Sequence, residues 1–118
     1  MTESVTDIAI IGAGPVGLFA VFQAGMLKMK CHVIDTLDAV GGQCISLYPE
    51  KPIYDIPALP NIMAKDLVDN LVEQIKPFDA TFHLNQRVEH LSKNGDIFTL
   101  ETSNGNIIHA KAVIIAAG

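Results

Sequence analysis

The stretch from Asp7 to Asp35 constrains the fold more than any other. An apolar run, Ile8-Ala9-Ile10-Ile11, breaks on Gly12-Ala13-Gly14-Pro15-Val16-Gly17, continues as a helical pattern over Leu18 to Leu27, and returns to an apolar run that stops at Asp35. That order predicts one βαβ unit with a phosphate-cradling turn. Gly12 lets the backbone leave the strand sharply, Gly14 has no Cβ to hold a pyrophosphate away from the main chain, and Gly17 lets the helix pack close against the sheet. Pro15 suits a first helical turn, where its missing N–H would have had no intrahelical partner. The free N–H groups and the positive end of the helix dipole then face an anion. Asp35 stands 18 residues beyond Gly17, at the end of the second strand, where a carboxylate can accept from both ribose hydroxyls. Each such charge-assisted bond is worth about 1.5–3 kcal/mol. A lone GxGxxG also suits a glycine-rich loop or a helix contact. With strand, helix and terminal acid all present, a dinucleotide site is the stronger reading. Asp35 would repel a 2′-phosphate, which favours FAD or NAD over NADP here.

At 118 residues and 49% apolar content the chain is one domain at most, with enough apolar side chains for a packed core but not enough length for a two-nucleotide oxidoreductase. A net charge of −5 and a pI near 5.1 leave no basic footprint, so neither nucleic acid nor an anionic membrane is an expected partner. Residues 8–27 carry Gln23 as their only strongly polar side chain, but three glycines and a proline divide them into a short strand and a helix, which argues against a membrane span. Met1 to Asp7 holds Glu3 and Asp7 without Lys or Arg, which does not suit a signal peptide. A soluble, cytoplasmic protein is expected. Cys31 and Cys44 lie thirteen apart with no CxxC and are expected as free thiols. His32, His83, His90 and His109 lie too far apart in sequence to suggest a metal site, and no residue stands out as catalytic.

Along the chain, the first helix is expected to bury Leu18, Val21, Phe22 and Leu27, with Gly25 and Lys28 to Lys30 marking its exit. After strand two, Cys31 to Asp35, the run Gly41-Gly42-Gln43-Cys44 suggests either backbone brought against a second ligand surface or a cap or tight turn. Four prolines between Pro49 and Pro60 forbid a helix there, and Tyr48 and Tyr54, the only tyrosines, could each present a ring to a planar ligand. Asn61 is expected to cap a helix whose stripe is Met63, Leu67, Leu71 and Ile75, ended by Pro77. Strands are expected over Thr81 to Leu84, Gln86 to Lys93, Asp96 to Ser103 and Asn106 to His109. The turns Asn94-Gly95 and Asn104-Gly105 make the last three of these an antiparallel meander. A further apolar strand, Ala112 to Ala117, then closes on Gly118.

The order GxGxxG, acid, Gly41-Gly42-Gln43, meander and Ala116-Ala117-Gly118 resembles the FAD-binding half of the two-dinucleotide-binding flavoprotein reductases, the class that includes thioredoxin reductase. Within it, Gly41-Gly42-Gln43 followed by Ser46-Leu47-Tyr48-Pro49-Glu50-Lys51-Pro52-Ile53-Tyr54-Asp55 is similar to the type 2 ferredoxin–NADP reductases. The resemblance implies an α/β, Rossmann-like three-layer fold of parallel sheet, helices and crossover β-meander, incomplete at its C-terminus. Residues 1–118 would form the FAD-binding domain, with the NADPH-binding domain outside this chain. It also implies that Gly12, Gly14, Pro15, Val16 and Gly17 line the FAD pyrophosphate and that Asp35 holds the adenosine ribose. Gln43 and Tyr48 would approach the flavin, Tyr48 by stacking, and Val88 would meet the adenine through its backbone. Cys44 stands where a leucine-like residue is expected. The implied protein is a homodimeric flavoprotein that takes hydride from NADPH and passes electrons to ferredoxin or a similar iron–sulfur carrier. A thioredoxin-reductase-like disulfide reductase and a non-catalytic nucleotide-binding remnant are the alternatives.

Overall fold

In the computed structural model, which describes residues 2–42 and 47–118, the first apolar run becomes β1 (Glu3–Ile11), the glycine turn opens α1 (Pro15–Met26), and β2 (Cys31–Ile34) follows. β1 and β2 pair in parallel from Ile8 opposite Cys31 to Ile11 opposite Ile34, which is the βαβ unit expected. Beyond the undescribed residues come β3 (Pro52–Ile53), β4 (Ile62–Met63), α2 (Ala64–Ile75), a 3-10 turn over Lys76–Phe78, and β5 (Thr81–His83). The meander is β6 (Val88–Asn94), β7 (Ile97–Thr102) and β8 (Ile107–Ile115). One six-stranded sheet runs β5-β2-β1-β8-β7-β6, with β1 parallel to both β2 and β8 and the outer pairs of the meander antiparallel.

The second half of β1, Ile8–Ile11, is apolar on both faces because both are covered. On one face Ile8, Ile10 and Val33 pack under Leu18, Val21 and Ala24 of α1 and Leu67, Val68, Leu71 and Ile75 of α2. On the other, Ala9 and Ile34 meet Leu100, Ile108 and Ala110 of the meander. A parallel-dominated sheet, a helical layer and a returning meander give the Rossmann-like α/β architecture expected from the sequence.

Several local expectations are corrected. Leu27 is exposed rather than core, because α1 ends at Met26. The left-handed residue at its exit is Lys28, at φ 63°, with Met29 N–H donating to Ala24 O at 2.9 Å. Gly25 lies inside the helix, where an added Cβ would sit 2.3 Å from the Phe78 ring, so it serves helix packing rather than the exit. Asn61 does not cap α2. The capping position is Met63, with no side-chain cap, since Ile62 and Met63 are drawn into a short antiparallel pair with Pro52 and Ile53. β6 begins at Val88, not Gln86, because Asn85 takes φ 56° and Gln86 N–H is turned toward Asp35 O. The strands expected at Asn106 to His109 and Ala112 to Ala117 are one continuous β8, through Lys111. It pairs with β1 from Ile107 to Ala110 and from Ala112 to Ile115, but β7 accompanies it only as far as Ala110.

Candidate functional site

The glycine turn is shaped by backbone contact. Gly12 has φ 116°, and an added Cβ there would lie 2.1 Å from Ala116 O, so the turn is locked to the end of β8 as well as bent. At Gly17 a Cβ would fall 1.9 Å from Gly12 O and 3.4 Å from Ile10 Cγ2, which is the close approach of helix to strand. Gly14 differs: the nearest atom to its missing Cβ is Gly42 Cα at 3.8 Å, an ordinary contact rather than a clash. Gly41 N–H donates to Ala13 O at 2.8 Å, and Gly42, at φ 61°, lies against Gly14. The Gly41-Gly42 pair thus docks on the turn itself. Pro15 occupies the start of α1 and has no N–H to lose there, and the unpaired N–H groups of that first turn are what an anion could use.

Asp35 sits directly after β2, and its carboxylate is already engaged. Ala13 N–H donates to Oδ2 at 2.6 Å and Leu37 N–H to Oδ1 at 2.9 Å, so the acid ties the glycine turn to the loop after β2. Its main chain is bracketed as well, with Asp35 N–H donating to His83 O and Gln86 N–H to Asp35 O.

Three concavities follow one another around this turn. A cavity of about 210 Å³ is walled by Asp35, Thr36, Gln86, Arg87 and Val88. A groove of about 250 Å³ runs past Gly14, Pro15, Val16, Asp35 and Gly42 to Ala116. The third, about 600 Å³ and mainly apolar, is lined by Pro15, Val16, Tyr48, Ile53, Tyr54 and Leu67. Asp35 is common to the first two, and Pro15 and Val16 to the last two. The structure therefore brings Gly12, Gly14, Pro15, Val16, Asp35, Tyr48 and Val88 onto the walls of three adjoining concavities. Gly17 instead lies buried beneath them. Gln43 and Cys44 lie outside the described residues.

Tyr48 and Tyr54 are 58% and 67% exposed, and both residues border the large cavity, so the two tyrosines share one wall rather than Tyr48 standing there alone. Lys51 Nζ lies 5.5 Å from the Tyr48 ring centroid. Gln86, which no sequence motif marks, is a buried polar residue on the wall of the small cavity. His32 and His83, distant in sequence, are brought together by β2 and β5, with a 2.8 Å Nδ1···Nε2 contact between their rings. Burial holds both below the usual imidazole value, and His83's charge lowers His32 further. Cys31 is a free, buried thiol whose pKa is raised by burial and by the nearby Asp7 carboxylate. Among the described residues no group of three or more His, Cys, Asp or Glu side chains is placed to hold a metal. No helix among them is long and apolar enough to cross a membrane.

Comparison with known proteins gives the site its family. The chain is 63% identical over 113 residues to a ferredoxin–NADP reductase of Rickettsia akari (strain Hartford), covering 96% of this chain and 34% of that protein. It is 58% identical over all 118 residues to a ferredoxin–NADP reductase of Ehrlichia ruminantium (strain Gardel), covering 35% of it. The chain thus spans about a third of the length of the curated relatives it matches. Among solved structures it superposes on thioredoxin reductase from Streptococcus pyogenes MGAS5005 with a TM-score of 0.83 and 27% identity, covering 97% of this chain and 35% of that one. Residues 6–118 match the family model described as pyridine nucleotide-disulphide oxidoreductase, and the chain belongs to that family.

Proposed function

We propose that residues 1–118 form the FAD-binding domain of a flavoprotein oxidoreductase that passes electrons between NADPH and ferredoxin. The observation that carries this reading is the row of three adjoining concavities, each with chemistry suited to one part of FAD. The small cavity offers the Asp35 carboxylate for a ribose and Val88 beside a base. The central groove offers the Gly14 backbone and the first turn of α1 to a pyrophosphate. The large apolar cavity, with its two tyrosines, has the volume and the ring surfaces for an isoalloxazine. Gln43, beside this depression in sequence, is assigned to the flavin end by the family resemblance. The residues present therefore fit FAD. When bound, the flavin would supply the exchange between a two-electron hydride donor and a one-electron acceptor. The protein's own part is to bind, orient and shield it. Asp35 disfavours a 2′-phosphate at this site, so NADPH is assigned to a second domain.

The relatives named ferredoxin–NADP reductase, at 58–63% identity, support ferredoxin or a similar iron–sulfur carrier as the acceptor. The likeness to thioredoxin reductase keeps a disulfide reductase as the second reading, which would need a CxxC that Cys31 and Cys44 do not form. A buried free thiol at Cys31 accords with a cytoplasmic, reducing setting, and we assign a homodimer to the complete enzyme. Titration of the protein with FAD and FMN tests the core of the proposal. Bound FAD with visible flavin bands, and much weaker FMN, is the expected result. Preference for NAD over FAD would overturn it. In the complete gene product, reduction of a disulfide dye in preference to ferredoxin would transfer the reading to the disulfide reductases.

A further inference from the structure

Gln86 is 9% exposed and is held more firmly than a cavity-wall residue needs to be. Its Oε1 accepts two hydrogen bonds, from Thr102 Oγ1 at 2.7 Å and from Asn106 Nδ2 at 2.8 Å. Asn106 N–H donates to Thr102 Oγ1 at 3.3 Å, which leaves the Thr102 hydroxyl proton for Gln86, and Asn106 Oδ1 accepts from Thr2 Oγ1 at 2.6 Å. These bonds together orient the Gln86 amide with its oxygen toward the meander. Its main chain is fixed too, with Gln86 N–H donating to Asp35 O at 3.0 Å. The Nε2 group, by contrast, donates to no protein acceptor among the described residues. No described side-chain N or O atom is sealed away without a partner, so Nε2 keeps accessible surface, and Gln86 lines a cavity with Asp35, Thr36 and Val88. A network that saturates one end of a buried amide and leaves the other facing a cavity presents a fixed donor to whatever fills it.

We propose that Gln86 is a base-reading residue: its side-chain Nε2–H donates to a ring nitrogen of adenine while Asp35, in the same cavity, accepts from the ribose. This rests on the reading of the cavity as the adenosine end of the FAD site. Adenine carries only acceptors at N1, N3 and N7, so a pinned N–H donor is matched to it.

The test uses the full chain, equilibrium dialysis, and ADP with its 1-deaza, 3-deaza and 7-deaza analogues as probes. Gln86→Glu keeps an oxygen for Thr102 and Asn106 and removes the donor. ADP binding should weaken about tenfold or more, and for one of the deaza analogues, the one lacking the partner nitrogen, most of that difference between variant and wild type should disappear. A purely structural role would lower all four affinities by the same factor, and that result, or unchanged ADP binding, would overturn the proposal. If thermal melts show Gln86→Glu to be unfolded, Gln86→Met is measured in its place against the same two outcomes. Failure of the underlying site looks different: wild type would then bind no ADP, or bind it equally well after Asp35→Asn.

Discussion

A carboxylate offers about four lone-pair positions, and two of Asp35's are taken by the N–H groups of Ala13 and Leu37. The remaining pair suffices for two ribose hydroxyls, so holding the fold and holding a ligand are compatible in one side chain. They are not separable by deletion. Removing the carboxylate also orphans the two N–H donors of Ala13 and Leu37, which adds to the cost. Asp35→Ala is expected to lower stability by about 1–3 kcal/mol and also to weaken FAD binding by about tenfold or more. Parallel melting and FAD titrations check both, and a variant with wild-type FAD affinity would remove Asp35 from the site. Gly12 gives a sharper case. Any Cβ there meets Ala116 O at 2.1 Å with φ at 116°, so Gly12→Ala should cost more than about 2 kcal/mol, readable by denaturant unfolding. At the other end of the depression, Tyr48→Ser should loosen the flavin and shift its spectrum. Because Tyr54 borders the same cavity, Tyr54→Ser should produce a measurable part of that effect. A shift from neither would reduce both rings to loop packing.

Among the elements, the strand pair β2 and β5 carries a pH response that follows from its histidines. Burial keeps the imidazoles of His32 and His83 below their ordinary value of 6.5, and the charge of His83 lowers His32 further. The unfolded chain therefore takes up protons first as pH falls below about 6.5, and stability must fall with it. The contribution is complete above that value and is lost on the acid side. Unfolding midpoints between about pH 7 and pH 5 should drop for the wild type, and His83→Gln should flatten the dependence. An equal slope in both would place the response elsewhere. This pair also shows what could and could not be read from the chain. The strand around His32 was legible from its apolar pattern, but its partner lies 51 residues away, and only the parallel pairing of β2 with β5 brings the rings together. Gly25, Asn61 and β8 were misread for the same reason: Phe78, Pro52–Ile53 and β1 decide their conformations, and none of these is a sequence neighbour. The glycine turn and its acid were legible because a βαβ site is local. Gln86 was not, because its importance comes from Thr102 and Asn106 across the meander.

For the molecule as a whole, the open side of β8 matters as much as the site. From Ala112 to Ile115 this strand is paired with β1 on one side, and β7 has left the other, so a row of backbone donors and acceptors has no partner among the described residues. Ile114 and Ile115 are exposed beside it, Ile115 by 70%. An apolar, unpaired edge favours addition of another strand. The 118-residue chain alone is therefore expected to self-associate with rising concentration, and Ile115→Lys should suppress this in sedimentation velocity by placing charge on the edge. The same chain should not turn over. Hydride transfer needs a nicotinamide held about 3–3.5 Å from its acceptor atom, and the one GxGxxG, at Gly12 to Gly17, is paired with an acid that repels the 2′-phosphate of NADPH. With FAD and NADPH both in excess, NADPH absorbance should decay no faster than in a protein-free control, with ferricyanide or ferredoxin as acceptor. Steady consumption that scales with protein and vanishes in Asp35→Ala would mean that the depression around α1 binds flavin and also admits the reductant, and the assignment of NADPH to a second domain would have to be withdrawn.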